Sequence, residues 1–391
     1  MQGKTRRIVL ATSVFLIVFG LIIALFIVDS PSKQVVNKPD VFVGVEVAYG
    51  DENAVYTVAN AVLGYANLIV LGSLKVTQDT EALTRVCNFL FQKGFYFIIY
   101  VGFANNGFVP PRGPDARFFD MAAEKYGDKL LGGYFFDEVG GKQIDKVEQP
   151  VDYARNNGDA AIKFVCAVGY PLTRTTGYYS PCQITRFTSD YALYWYDYVA
   201  GYNVVFTEFV GNQSREIAVA LCRGAAKTMN QSWGTIITWK YGQPPFLEDA
   251  TELYNDMVLA YQNGAKYIVV FDSPDEADAI TEYGILTTDH LDAMKNFWDY
   301  TKTNRQPAEF QAKTAYVLPR DYGFGFRSPN DTLWGLWNPD SLSPKIWNDT
   351  TSLLAQYGPN VDIIYETVID NEPTTLPYDK LIFWNGTVVQ R

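Results

Sequence analysis

Leu131-Gly132-Gly133-Tyr134-Phe135-Phe136-Asp137-Glu138, followed by Val139-Gly140-Gly141, is the stretch from which the rest of the chain can be read. Two glycines lead into an apolar, aromatic run of strand length. Two adjacent carboxylates end it, and a second glycine pair follows. A buried strand that delivers acids to its C-terminal tip is how a parallel α/β barrel builds a site. Three other apolar runs end in the same way: Val41 to Glu46, Val204 to Glu208 and Tyr267 to Asp272. Together the four predict spokes of one acidic, aromatic-lined pocket.

Outward from that stretch, strand and helix patterns alternate. Strands are predicted at Val41 to Glu46, Leu68 to Gly72, Phe95 to Val101, Leu131 to Asp137, Asn203 to Glu208, Thr235 to Trp239 and Lys266 to Asp272. Helical spacing covers Asn53 to Tyr65, Thr80 to Lys93 with its stop at Gly94, Phe118 to Tyr126, Ser214 to Met229, Leu247 to Gln262 and Leu291 to Tyr300. The fifth strand is the faint one, placed near Gln183 to Phe187. Asp152 to Tyr170 reads as a helix, or Phe164 to Val168 alone as a strand. Ser189-Asp190 reads as the cap of an aromatic helix, Tyr191 to Val199. Gly102 to Asp115 and Thr173 to Cys182 read as loops beside the pocket. The expectation is a (β/α)8 TIM barrel over residues 41–304. An open doubly wound sheet is the alternative, and it lacks a Gly-rich phosphate loop after any strand.

Arg305-Gln306-Pro307 marks a boundary, and residues 305–391 read as a small α/β domain. Its strands are expected at Thr314 to Leu318, Val361 to Tyr365 and Lys380 to Trp384, with a helix from Pro344 to Tyr357. The segment from Pro319 to Trp337 is dense in Arg, Trp and Gly. It either reaches over the barrel mouth or packs between the two parts.

At the amino end, Lys4, Arg6 and Arg7 precede Ile8 to Val28, 21 residues without a charge. As a helix this run spans about 30 Å of hydrocarbon. The basic cluster keeps the start of the chain in the cytoplasm, so the bulk is expected outside the cell, at the membrane, on a single pass. Residues 1–30 are thus a cytoplasmic tip and transmembrane signal anchor, and 31–40 a stalk; a cleaved signal peptide is the competing reading. Asn212, Asn230, Asn330, Asn348 and Asn385 stand in glycosylation sequons, in keeping with an exterior location. Cys166 and Cys182 flank a Pro/Gly/Tyr-rich stretch and could pair there, whereas Cys87 and Cys222 fall in helical patterns as buried thiols.

Composition narrows the chemistry. Hydrophobic residues make up 48% and charged residues 19%, which excludes disorder over most of the length. A net charge of −11 argues against a nucleic-acid partner. The single histidine, His290, rules out a multi-histidine zinc site; Thr287-Thr288-Asp289-His290 looks like the capped first turn of a helix. No metal or cofactor is called for. Carboxylates, tyrosines and lysines are left to act, and aromatics at 15% suit sugar stacking as well as core filling.

The acids that best fit glycosidic-bond chemistry are Asp137 and Glu138 in Tyr134-Phe135-Phe136-Asp137-Glu138 and Glu208 in Val205-Phe206-Thr207-Glu208. One neutral carboxyl protonates the leaving oxygen while an ionised partner attacks or activates water. Glu138 is expected as proton donor and Glu208 as nucleophile or base. Glu46, Asp272, Trp239, Tyr241 and Tyr170 are expected to bind the carbohydrate. Acids at strand ends also cap helices or bind Arg, which is the plain alternative for each.

With these residues in view, the chain resembles the barrel glycoside hydrolases that carry a flavodoxin-like domain after the barrel, the β-galactosidase type among them. It also looks like membrane-anchored archaeal proteins of that build. The resemblance rests on the acids of the fourth strand, Phe206-Thr207-Glu208, the Trp239 strand and Tyr283-Gly284-Ile285-Leu286. It implies a hydrolase of polysaccharide or glycoconjugate. The chain departs from the large retaining group in two places. The seventh strand tip is Trp239-Lys240-Tyr241 with no Glu, and Asp137-Glu138 replaces the usual Asn-Glu. The partner acid then has to come from Glu208, Asp272 or Glu46, or the barrel binds glycans without cleaving them. A carbohydrate esterase is a more distant reading.

Overall fold

Eight parallel strands, hydrogen-bonded in sequence order, close on themselves as β8 returns to β1. The computed structural model describes residues 39–101, 114, 116–147, 149–177, 184–275, 279–307, 312–366 and 376–391. The strands are β1 (Phe42–Val47), β2 (Leu68–Leu71), β3 (Tyr96–Val101), β4 (Leu130–Phe135), β5 (Thr185–Asp190), β6 (Val204–Phe209), β7 (Ser232–Ile237) and β8 (Tyr267–Asp272). Their runs are continuously apolar because lumen and outer helices cover both faces. The expected barrel is present and the open-sheet alternative falls.

Rings fill the lumen. Phe187 of β5 meets Tyr267 of β8 at 5.4 Å, and Tyr134 of β4 meets Phe206 of β6 at 6.3 Å. Phe42 of β1 lies 5.0 Å from Tyr96 of β3. These strands are not neighbours, so such contacts can only be made across the barrel interior. Much of the aromatic excess is therefore core. At Gly132 the β3–β4 register slips by one residue, and a Cβ there would fall 2.1 Å from the carbonyl oxygen of Thr185. Only glycine lets β4 and β5 approach so closely.

The helices include α1 (Glu52–Ala61), α2 (Leu74–Thr77), α3 (Thr80–Lys93), α4 (Ala116–Tyr126), α5 (Val139–Asp145), α6 (Asn157–Gly177), α7 (Tyr194–Ala200), α8 (Arg215–Thr228), α9 (Ala250–Gln262) and α10 (Thr288–Thr303). Gly94 ends α3 in the left-handed conformation, as its position suggests. Thr287 and His290 form a reciprocal capping box at the start of α10, and His290 Nε2 lies 2.9 Å from the Glu248 carbonyl oxygen. That is a structural role.

Two readings are corrected. Ser189 and Asp190 do not begin a helix; they are the tip of β5, and α7 starts at Tyr194. The Asp190 carboxylate accepts from the N–H groups of Gly140, Gly141, Tyr191 and Ala192, so it does a cap's work from a strand end. Gly141 is needed for this approach, since a Cβ there would lie 2.1 Å from the Tyr191 ring. Second, residues 173–177 belong to α6 and Phe164 to Val168 is helical. Phe164, Val168 and Leu172 recur every fourth residue and are all buried. The rest of that loop, with Cys182 and so the Cys166–Cys182 pairing, lies outside the described residues, as does the stretch 102–113. Cys87 and Cys222 are buried thiols in helices.

After the barrel, β9 (Thr314–Leu318), α11 (Ser343–Tyr357), β10 (Val361–Tyr365), β11 (Lys380–Phe383) and β12 (Val388–Gln390) form a mixed sheet in the order β10-β9-β11-β12. The antiparallel β12 was not anticipated. Val41–Arg391 form one compact unit. Arg223 of α8 donates to Asp362 of β10 at 2.6 Å and to the carbonyls of Pro359 and Val361 at 2.9 Å. Trp334 is fully buried against Tyr196 and Phe164, and Gln143 donates to its carbonyl. The Arg/Trp-rich segment therefore packs on the barrel flank. Among the described residues no helix is long and apolar enough to cross a membrane; Ile8 to Val28 and the stalk as far as residue 38 lie outside them.

Candidate active site

A cavity of about 290 Å³ opens at the C-terminal end of the strands. Every strand or the residue just past it contributes to the wall: Glu46, Gly72, Tyr100, Tyr134 with Asp137 and Glu138, Ser189, Glu208, Thr238 with Trp239, and Phe271. Register explains the convergence. Glu46 lies beside Phe271 and Val70, and Glu208 beside Ile236, all one residue from the ends of their strands.

The β4 tip is bent sharply. Phe136 and Glu138 both take positive φ, 54° and 56°, on either side of Asp137. Such backbone costs energy in non-glycine residues and persists where the surroundings hold it. Here the Glu138 N–H donates to the Ser189 carbonyl at 3.0 Å. The bend turns Asp137 and Glu138 in succession into the cavity wall.

Asp137 and Glu208 are joined through one hydroxyl. Ser189 Oγ donates to Asp137 Oδ1 at 3.0 Å and also contacts Glu208 Oε1. Tyr134 OH lies 2.8 Å from the same Asp137 oxygen and 2.7 Å from Ser189 Oγ. Two hydrogen bonds in sequence limit the Asp137–Glu208 oxygen separation to about 6 Å. Glu138 acts on Glu208 as well, since its charge raises the Glu208 carboxyl. Lys142, four residues beyond Glu138 on α5, stands 3.5 Å from Glu138 and 3.9 Å from Asp137.

Burial sets the electrostatics. It pushes the Glu208 carboxyl well above the usual range, and the charges of Glu138 and Asp137 push it further. Glu46 is raised to about 8 by burial first and then by Asp137 and Glu138. Glu138 is also raised by burial and by Asp137, but Lys142 opposes the rise. The cavity thus pairs a neutral buried acid, Glu208, with half-buried acids facing a lysine.

Of the expected site residues, Asp137, Glu138, Glu208, Glu46 and Trp239 line the cavity. Trp239 sits two residues beyond β7, braced by Phe271 at 5.0 Å and Phe246 at 5.4 Å. Three expected contacts lie elsewhere. Asp272 is fully buried and accepts from the N–H groups of Ile285 and Leu286, and burial raises it to about 7. Tyr241 is 43% exposed outside the cavity wall, and Tyr170 is 66% exposed on α6, outside the wall as well. Sequence reading missed Ser189, Tyr134 and Lys142. Tyr134 looked like strand filler and Ser189 like a cap, whereas the helical spacing of Lys142 from Glu138 was a usable signal.

No protein-family model matches the sequence, and no curated protein matches it. Solved structures do match in fold. A GH5_18 variant from Streptomyces cattleya in complex with Manβ1-4GlcNAc aligns with a TM-score of 0.54 at 10% identity, covering 88% of this chain and 99% of that one. GH5_18 from the same organism with GlcNAc gives 0.53 at 11%, with the same coverage. A polyextremophilic β-galactosidase from the Antarctic haloarchaeon Halorubrum lacusprofundi gives 0.53 at 10%, covering 88% of this chain and 68% of that one. At these identities the likeness is one of fold.

Proposed function

We propose that this protein is a glycoside hydrolase, with Glu208 as proton donor and Asp137 as the attacking carboxylate. The observation that carries this reading is the pair of acids held one hydroxyl apart in a cavity at the C-terminal end of a barrel. That spacing suits the roughly 5 Å of a retaining pair better than the 6.5–9.5 Å of an inverting one. The roles depart from the sequence expectation. Glu138 stands 3.5 Å from Lys142, and its charge acts on Glu208 to keep that acid protonated. Asp137 stands off by one hydroxyl and accepts from Tyr134 and Ser189 while facing Lys142.

In the first step Glu208 passes its proton to the glycosidic oxygen as that oxygen leaves carbon 1, and an Asp137 oxygen bonds to carbon 1. In the second, the Glu208 carboxylate takes a proton from water, water oxygen bonds to carbon 1, and Asp137 is released. The negative charge of Glu138 beside Glu208 keeps that acid protonated at rest. Trp239 provides a braced face for a sugar ring. A 2-deoxy-2-fluoro glycoside tests the assignment: a glycosyl adduct on the Asp137 peptide is expected, and an adduct on Glu138 or Glu208 overturns it.

A glycan-binding barrel without turnover is the second reading, favoured by the β7 tip, where Thr238-Trp239 stands without a carboxylate. It predicts binding that survives Asp137→Asn and Glu208→Gln and fails in Trp239→Ala.

The reading extends to a membrane-tethered, extracellular protein with a flavodoxin-like carboxyl domain. Its support is the uncharged run from Ile8 to Val28 behind Lys4, Arg6 and Arg7. Asn212, Asn230, Asn330, Asn348 and Asn385 are all exposed, as glycosylation would require.

A further inference from the structure

We propose that the carbohydrate bound here is an amino sugar with a free ammonium group, and that Glu46 is the carboxylate that receives it. The proposal rests on the reading above for the sugar's location, though not for its cleavage. Glu46 is only 6% exposed yet lines the cavity. Among the described residues no hydrogen-bond donor or cation meets its carboxyl. Each other acid of the wall has at least one partner: Tyr134 and Ser189 for Asp137, Lys142 for Glu138, and Ser189 for one oxygen of Glu208, whose Oε2 meets none among the described residues. A carboxyl that lines a cavity without a protein donor is free to take one from a ligand.

Charge says what the ligand supplies. Four carboxyl groups face one lysine across the wall, and that lysine sits at the β4 tip with Asp137 and Glu138. The Glu46 side of the cavity is left with acid alone. Gly72 keeps that side open, since a Cβ there would fall 2.5 Å from Glu46 Oε1. No group of three or more His, Cys, Asp or Glu among the described residues is arranged to hold a metal ion, and the cation proposed is the sugar's own ammonium. A neutral hydroxyl offers a donor without charge, and a uronate or sulfated sugar is repelled.

Proton linkage follows. The groups facing Glu46 are Asp137 and Glu138 from the β4 tip and the tyrosines Tyr49, Tyr100 and Tyr134. Burial and the two acids hold Glu46 up at about 8, so it is neutral in the empty cavity near pH 6. An arriving ammonium converts it to a carboxylate and releases a proton.

Calorimetry on the full-length chain at pH 6 tests this with the trimers of glucosamine, N-acetylglucosamine, glucose and glucuronate. The glucosamine trimer is expected to bind about 10- to 100-fold more tightly than the others. Its binding heat should vary with buffer ionisation enthalpy, reporting a released proton. Glu46→Gln is expected to abolish both the preference and the proton release, and Glu46→Asp, which retracts the carboxyl, to weaken both. Equal affinity for all four trimers, or a preference that survives in Glu46→Gln, overturns the proposal. Hydrolysis of neutral glycans with no such preference removes this inference alone. Preference without hydrolysis of any glycan removes the hydrolase reading and leaves this one standing.

Discussion

Tyr134 and Ser189 meet hydroxyl to hydroxyl at 2.7 Å, and both reach Asp137 Oδ1, at 2.8 and 3.0 Å. Ser189 also touches Glu208, so the two hydroxyls have four such contacts and only two protons to give. A proton on Glu208 cuts the shortage to one. Glu208 then donates to Ser189, Ser189 to Asp137, and Tyr134 to either neighbour.

Cutting that chain should lower turnover without greatly changing binding. Ser189→Ala is expected to reduce kcat about 10- to 100-fold with KM little changed, because Asp137 and Glu208 lose their common spacer. Tyr134→Phe should cost less, since Ser189 still bridges. Equal loss in KM alone would mark Ser189 as a sugar contact instead.

Glu138 is expected to set the basic limb of the pH–rate profile. Its charge adds to burial in raising Glu208, so Glu138→Gln lowers the pKa of the proton donor. The donor then loses its proton at lower pH, and the basic limb of kcat/KM moves down. A pH–rate profile of the variant checks the sign.

Stability should fall as pH rises through the neutral range. Burial raises Glu46 to about 8 and Asp190 and Asp272 to about 7 in the folded chain, whereas unfolded carboxyls titrate near 4. The unfolded state therefore gives up these protons first, and stability present below about pH 4 is lost as pH climbs toward 8. Asp197 adds to this: it is fully buried, its oxygens meet no donor among the described residues, and burial and the nearby Asp190 push it well up. A melting temperature lower at pH 8 than at pH 5 is expected, with a smaller difference in Asp197→Asn. Thermal melts across pH measure both.

The join between barrel and carboxyl sheet depends on Arg223. Its ion pair with Asp362 is buried on both sides, and Asn263 and two carbonyls take its other donors. Asp362→Ala leaves a buried charge uncompensated and should cost about 3–5 kcal/mol, read by denaturant unfolding.

The barrel was legible because continuous apolar runs ending in acids have few other uses, and Val41, Val204 and Tyr267 each open one. β5 was only faintly legible, near Gln183 to Phe187, since Thr185, Arg186, Thr188 and Ser189 are polar for a barrel strand, and its tip residues resemble a helix cap. The acids of the wall were legible one by one. What joins them was not: Ser189 reaches Asp137 and Glu208 through β4–β5 and β5–β6 pairing, a relation between distant segments that local pattern does not carry. Asp272 shows the converse, a strand-end acid spent on the backbone of Ile285 and Leu286.

The central claim is tested most directly by measuring hydrolysis of a glycan panel by the full-length protein beside Glu208→Gln and Asp137→Asn. Reducing-sugar release by the parent chain, cut at least about a thousandfold in both variants with melting temperatures maintained, is the expected result. No release from any glycan by the folded parent chain, or release that persists in Glu208→Gln, would contradict it.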